Sequence, residues 1–388
     1  MLKIPLPNLA QYEFQEVPYK QMMQNRIFNV LIICSNYDFY LIEEDGRIDE
    51  QIFNEYSTLN LRYPPNFLNA SSVNKAIHIL ETVKIDLVIT FLDVGKGAYE
   101  TAKRIKLHFP KVPIAALSHY SDQLHLKLIK ENSNVIDDVF HWNSNVDIFL
   151  AIIKLTEDRM NAENDILEIG VKAILLVEDS IQFYSRYLPL IYRIILNQTL
   201  SFMQEELNEH RRMMSKRGRP KILLARTYEE AIYLFEKYKE NLLGVISDVS
   251  YPKNNEKDPM AGFKLLEYVR KYNRYFPFLI QSSNSKNQEV ATQYKAKFLY
   301  KHSETLEQDI KKFITKKLSF GDFEFWDPSK KEIIAVAKDL RDLQKAIAKV
   351  PIESIVYHSK RNEFSKWLQS RALFPLADLF TKFEFEDF

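Results

Sequence analysis

Glycine is scarce, 8 of 388 residues, which argues against an enzyme built on several glycine-rich phosphate loops. Cysteine is almost absent. The single Cys34 excludes an intramolecular disulfide and a cysteine-based zinc cluster, and it fits a reducing, cytoplasmic setting. Neither sign of charge is in excess, with 53 Lys and Arg against 52 Asp and Glu. Whole-chain charge therefore gives no pointer to nucleic acid or to an anionic lipid surface. No apolar run is long enough to span a bilayer. The start, Met1-Leu-Lys-Ile-Pro-Leu-Pro7, makes a poor signal peptide. A chain of this length predicts two or three domains.

What is present is one architectural pattern, used twice. Val30-Leu-Ile-Ile-Cys34 opens one stretch and Ala173-Ile-Leu-Leu-Val177 opens another. In the second stretch the strand runs are Lys221–Ala225, Leu243–Ser247, Phe278–Gln281 and Phe298–Tyr300, with helical runs such as Tyr228–Lys239 and Ala261–Tyr272 between them. In the first, the strand runs are Leu87–Thr90, Pro113–Leu117 and Asp138–Phe140, with helical Ser72–Glu81 and Ala98–His108. Short apolar strands alternating with helices predict a parallel sheet covered on both faces. Ile148–Glu168 reads as a helix joining the two units. Gln182–Arg217 is long and helix-rich where a compact unit would carry one short helix. The tail opens on a strand-and-turn signal, Ser319-Phe-Gly-Asp-Phe-Glu-Phe-Trp-Asp-Pro328, and continues in helical runs over Leu340–Lys349 and Ile352–Arg371.

In an open parallel sheet the carboxyl ends of the strands form the ligand crevice. In the second unit those ends carry Glu178-Asp179, Asp248, Ser282-Ser283 and Lys301. Three carboxylates, a hydroxyl and an ammonium thus converge on one edge. These motifs, with Met260-Ala-Gly262 and Phe298-Leu-Tyr-Lys301, resemble a response-regulator receiver domain in their order and placement. The resemblance covers about residues 168–318. It implies a flavodoxin-like, doubly wound sheet with strand order 2-1-3-4-5 in each unit. With the tail, the fold class is α/β plus a small C-terminal α+β module. The expected division is an arm over 1–26, a degenerate receiver-like domain over 27–160, a receiver over 161–318 with a helical insertion about 190–218, and the module over 319–388.

Clustered carboxylates repel one another and favour a bound divalent cation, and Mg²⁺ suits an all-oxygen site. Asp179 and Asp248 are expected as ligands, Glu178 directly or through water, and Ser250 through its carbonyl. Asp248 is the expected nucleophile toward a phosphoryl group, Lys301 offsets charge on the transferring oxygens, and the Ser282 hydroxyl bonds one of them. The resemblance adds Phe298 as the aromatic partner of Ser282 in a switch. It also implies a histidine kinase or a small phosphodonor as partner.

Two departures stand out. His302 replaces the proline that usually follows the lysine, so a trans peptide is expected there. Asp248 and Gly262 lie farther apart than in a typical receiver, which marks Lys253–Pro259 as an insertion beside the site.

The first unit lacks the chemistry. Strand by strand, Ser35-Asn36 stands for the acidic pair, Phe91 for the nucleophile, Ser118 keeps the hydroxyl, and Trp142 or His141 stands for the lysine. Asp93 could supply a carboxylate only through a register shift. This unit is expected to be a non-phosphorylatable interaction domain.

Three further features stand outside this pattern. Arg217-Gly-Arg-Pro220 resembles an AT-hook, but it leads straight into a strand, so no nucleic-acid partner is expected. His358 lies on a helix, where a packed or surface histidine is commoner than a phosphotransfer site. The order of degenerate receiver, receiver and tail is similar to the N-terminal region of bacterial phosphoenolpyruvate synthase-like proteins. That resemblance implies a regulatory front end for a downstream catalytic domain. A homodimer is the other partner expected, and the other functional reading is a scaffold without phosphate turnover.

Overall fold

The computed structural model describes residues 19–44, 48–58, 61, 63–92, 97–118, 135–142, 145–205, 212, 215 and 217–382. Two compact units emerge from it. One joins Met23–Asn161 to Glu178–Arg193; the other joins Ala162–Val177 to Ile194–Phe388, with the short segment before Met23.

The first unit holds a five-stranded parallel sheet of β1 (Asn29–Ile33), β2 (Asn66–Ala70), β3 (Leu87–Leu92), β4 (Ile114–Ser118) and β5 (Asp138–His141). Their spatial order is β2-β1-β3-β4-β5, the doubly wound arrangement that the alternation of strands and helices implies. Helices α1 (Asn36–Glu44), α2 (Ile48–Thr58), α3 (Val73–Thr82), α4 (Gly97–His108) and α5 (Asp147–Ala162) connect and cover the strands. Ser72 caps α3 by accepting the Lys75 N–H at 3.3 Å. The Ile148–Glu168 run is not one α-helix: α5 ends at Ala162 and a π-helical turn follows over Glu163–Glu168.

The second sheet contains β6 (Ala173–Val177), β7 (Lys221–Ala225), β8 (Leu242–Asp248), β11 (Phe278–Ser282) and β12 (Lys297–Tyr300), all parallel. Read from its other edge, the order β7-β6-β8-β11-β12 repeats that of the first sheet. Every residue of β6, β8 and β11 is buried, as two covered faces require. The helices are α6 (Ile181–Glu205), α7 (Tyr228–Tyr238), α8 (Ala261–Tyr272), α9 (Asn287–Gln293) and α10 (Leu306–Lys317).

Between β8 and α8 the inserted residues form a hairpin of β9 (Tyr251–Lys253) and β10 (Glu256–Asp258). Its two-residue turn uses Asn254 and Asn255, both at positive φ, 52° and 66°. Asparagine tolerates that region better than most side chains.

Helix α6 is a single 25-residue element with Pro189 inside it. Its first half belongs to the first unit. Tyr184 donates its hydroxyl to the Val139 carbonyl, Ser185 accepts the His141 N–H at 2.9 Å, and Tyr192 donates to Asp158 at 2.8 Å.

The tail forms a β-hairpin of β13 (Phe323–Asp327) and β14 (Glu332–Ala337) with α11 (Leu340–Ile347), α12 (Ile352–Ser359), α13 (Glu363–Ser370) and α14 (Phe374–Lys382). The expected continuous helix over Ile352–Arg371 is broken. Asn362 takes a left-handed φ of 54° and starts α13 anew, which lets Phe364, Trp367 and Leu368 turn onto Phe323 and Phe325. Among the described residues no helix is long and apolar enough to cross a membrane.

Candidate functional site

Strands β6 and β8 lie side by side, with Val177 opposite Ser247. The residues that follow, Glu178-Asp179 and Asp248, therefore leave the sheet at the same edge. Each offers a carboxylate oxygen, and these oxygens lie within 4.8 Å of one another. Glu178 is fully buried, Asp248 is 8% exposed and Asp179 is half-buried. The Glu178 carboxylate accepts the Ser180 N–H at 3.2 Å.

Lys301 follows β12 directly. Its Nζ lies 3.0 Å from Asp248 Oδ1, with side-chain exposures of 2% and 11%. The Lys301 N–H donates to the Ser282 carbonyl at 2.9 Å, so the ladder itself carries the lysine to the site. A buried ion pair between isolated charges would barely offset its desolvation cost. Here the pair stands in a cluster of three carboxylates whose oxygens lie close enough to hold one cation. An all-oxygen set of carboxylates is the donor chemistry that Mg²⁺ takes, and these residues fit that ion.

Ser282 ends β11, one residue beyond Gln281, which sits opposite Asp248. Its Oγ accepts from the Asn284 N–H at 3.1 Å and from Asn287 Nδ2 at 2.9 Å. Phe298 lies on β12 opposite Ile280 and is partly buried against the core. Ser250 is half-buried between β8 and β9. The structure thus brings Glu178, Asp179, Asp248 and Lys301 together, with Ser282 on the adjoining strand end.

The backbone around Asp248 is tightly held. Gly262 in the first turn of α8 approaches so closely that a Cβ there would lie 2.1 Å from the Asp248 carbonyl oxygen. Its N–H donates to the Val249 carbonyl at 2.9 Å. Ser247 donates its hydroxyl to the Asp248 carbonyl at 2.7 Å and lies 3.3 Å from the Tyr251 hydroxyl. Tyr251 is fully buried, and burial pushes its phenol well above the usual range. The inserted hairpin is fixed on both sides. The Asn254 N–H donates to Glu229 at 3.0 Å, Lys253 Nζ sits 4.3 Å over the Tyr228 ring, and Lys264 pairs with Asp258 at 2.6 Å. Residues Asn284, Asn287 and Tyr251 were not singled out in the sequence. Only the proximity of Tyr251 to Asp248 along the chain could have signalled any of them. Among the described residues no peptide bond is cis, so the Lys301–His302 bond is trans.

The equivalent edge of the first sheet can be read off by register. Ile33 pairs with Thr90 as Val177 pairs with Ser247, so Phe91 takes the place of Asp248. The same register corrects one expectation. Glu178-Asp179 corresponds to Cys34-Ser35, not to Ser35-Asn36, because β1 continues the strand ladder through Ile33. The Trp142 N–H donates to the Ser118 carbonyl at 2.8 Å, as that of Lys301 does to Ser282, which places Trp142 and not His141 at the lysine position. Phe91 and Trp142 then meet edge to face, ring centres 5.8 Å apart at 74°. Asp93 lies outside the described residues.

The other sequence features are accounted for by packing. In the basic run Arg219 is buried, and Lys221 is fully buried in an ion pair with Asp165 at 2.7 Å. These side chains serve the fold and do not form an exposed hook. His358 is buried. Its Nε2 accepts the Trp326 N–H at 2.8 Å, which leaves Nδ1 to donate to Glu363. With both nitrogens engaged inside a ring of Phe323, Phe325, Tyr357 and Phe364, it is a structural histidine.

No family model matches the chain, and no curated protein does. The kinship with phosphoenolpyruvate synthase-like proteins therefore rests on the sequence order alone. Among solved structures, a chain described as a two-component system response regulator/GGDEF domain protein is 13% identical, with 74% of this chain and 98% of that one covered at a TM-score of 0.30. A second with the same description is 14% identical, covering 73% and 95% at 0.29. A glucose-galactose binding protein from Geobacillus stearothermophilus is 10% identical, covering 70% and 83% at 0.20.

Proposed function

We propose that the second sheet carries a phospho-acceptor site in which Asp248 receives a phosphoryl group from a phosphohistidine or a small phosphodonor. The observation that carries this reading is the buried Asp248–Lys301 pair at 3.0 Å inside a cluster of three carboxylates. Glu178 and Asp179 would hold Mg²⁺ with Asp248, aided by the Ser250 carbonyl. When bound, the ion would neutralise charge on the phosphoryl oxygens.

The Asp248 carboxylate oxygen attacks phosphorus, the P–O or P–N bond to the donor breaks, and the leaving group departs with its electron pair. Lys301 shifts from its pairing with the free carboxylate to the oxygens of the new acyl phosphate. Ser282 donates to one of those oxygens, and Phe298, one strand over, is the proposed aromatic partner of that change. An acyl phosphate hydrolyses in water, so the same site would reset itself slowly.

Incubation of the chain with radiolabelled acetyl phosphate and Mg²⁺ tests the reading. Mg²⁺-dependent label on the peptide containing Asp248 is expected, and its persistence in Asp248→Asn would sink the idea.

For the first unit a specific observation favours a different role. The Phe91–Trp142 contact fills the equivalent edge with rings, so this unit acts through packing and surface, without phosphate.

A further inference from the structure

The Ser282 hydroxyl has one donor and two acceptor positions. Both acceptor positions are filled, by the Asn284 N–H at 3.1 Å and by Asn287 Nδ2 at 2.9 Å. The remaining position is the O–H itself. Ser282 is therefore arranged as a donor, which matches an oxygen that can only accept. Phosphoryl oxygens are of that kind, whereas an ammonium, which can only donate, would need the lone pairs already in use.

We infer that Asn287 is a positioning residue that sets the hydrogen-bond polarity of Ser282 for a phosphoryl oxygen. The inference rests on the phospho-acceptor reading and names a residue to which that reading gives no part. Asn287 is the first residue of α9, so the bond also ties this helix to the strand end beside Asp248. The backbone supports the arrangement. The Asn284 side chain accepts the Lys286 N–H at 3.1 Å, and the Asn287 N–H donates to the Asn284 carbonyl at 3.2 Å, which folds the loop back so that Asn287 reaches Ser282.

Asn287→Asp separates polarity from shape. The variant side chain has nearly the same size, but its carboxylate can only accept. It would draw the Ser282 proton to itself and leave no donor for phosphate. A hydrogen bond to a charged group contributes enough that its loss is read as roughly ten- to hundredfold in affinity.

The experiment measures Mg²⁺-dependent affinity for beryllofluoride, a phosphoryl mimic, in the full chain and four variants: Asn287→Asp, Asn287→Ala, Ser282→Ala and the double variant Ser282→Ala/Asn287→Asp. The expected order is a loss of at least tenfold for Asn287→Asp, a smaller loss for Asn287→Ala, and no further loss when Asn287→Asp is added to Ser282→Ala. An added charge acting directly on the mimic would weaken binding equally in both backgrounds, and that result overturns the inference. So does wild-type affinity in Asn287→Asp. Either result leaves the phospho-acceptor reading standing if wild-type protein still labels on Asp248. Absence of both binding and label in wild type overturns the reading and the inference together.

Discussion

The two sheets have the same strand order and the same ladder at their carboxyl edges, yet they end in opposite chemistry. Where one sets Asp248 against Lys301 at 3.0 Å, the other sets Phe91 against Trp142 edge to face. Both pairs join the third strand to the residue after the fifth, so each bridges the same gap. The aromatic pair adds apolar burial and a favourable ring geometry without any desolvation cost. The charged pair stands beside two further carboxylates, Glu178 and Asp179, the setting on which the proposed cation and phosphoryl site rests. The comparison teaches that the scaffold does not require the acidic site, since the same sheet closes over rings.

The largest effect that could break this contrast is chemical. With acetyl phosphate and Mg²⁺, mass spectrometry should find label only in the peptide carrying Asp248, and Asp248→Asn should remove it. Label in the peptide spanning β3 of the first sheet would end the distinction between the units.

Exchanging the two pairs should be costly. Phe91 is 6% exposed, and Phe91→Asp places a carboxylate against Trp142, which holds the position that Lys301 takes in the second sheet. A loss of roughly 3–5 kcal/mol is expected, in the range found for uncompensated buried charges. Urea denaturation followed by tryptophan fluorescence, with Trp326 and Trp367 replaced by Phe so that Trp142 alone reports, measures it, and a variant as stable as its parent would mean that the first edge tolerates charge after all.

A pH effect is expected in the second unit. Lys172, just before β6, is buried, with its ammonium bonded to the Glu240 carbonyl and the Asn241 side chain. Desolvation first of all brings its pKa down to about 8. Its register counterpart is Phe28, which is exposed. Below about pH 8 the lysine is charged in both the folded and unfolded states, and the fold bears the burial cost. As pH rises from about 8 toward the unfolded value, the folded state alone loses its proton. Stability should therefore rise across that window, by about 3 kcal/mol at most. Lys172→Met should remove the rise, which midpoints of urea denaturation against pH would show.

The smallest expected effect sharpens the geometry of the site. Gly262→Ala forces a methyl against the Asp248 carbonyl. The strand end or α8 must shift, at about 1–3 kcal/mol. If Asp248 is the acceptor, as proposed, its labelling should slow more than stability falls, because the shifted group is then the reacting one. Unchanged labelling with lowered melting temperature would show that α8 moves and the site does not.

Much of the sheet architecture was legible because fully buried parallel strands read as continuous apolar runs. Ala173–Val177 and Val30–Cys34 are such runs. The strand Asn66-Phe-Leu-Asn-Ala70 was not, because it is a sheet-edge strand in which Asn66 and Asn69 interrupt the apolar run. The insertion after Asp248 was visible as extra length. Its form, a hairpin turned at Asn254-Asn255 and tied to α7 and α8, depends on contacts with Tyr228, Glu229 and Lys264 that no local pattern encodes. The single helix expected over Ile352–Arg371 failed because its period of apolar residues continues across a turn that Asn362 makes left-handed.

The sequence by itself determined which side chains stand at the strand ends, since strand period and order place Glu178, Asp179, Asp248, Ser282 and Lys301 on one edge. It also determined that the strand ends of the first sheet lack the acidic pair. Tertiary structure decided the rest. Only the ladder register distinguishes Cys34-Ser35 from Ser35-Asn36 as the counterpart of the acids, and Trp142 from His141 at the lysine position. Only the folded loop brings Asn287 to Ser282, and only packing buries Lys221 and His358. The physical reason is that periodicity reports which face a residue takes, whereas a hydrogen bond or an ion pair depends on which segments, distant in sequence, meet there.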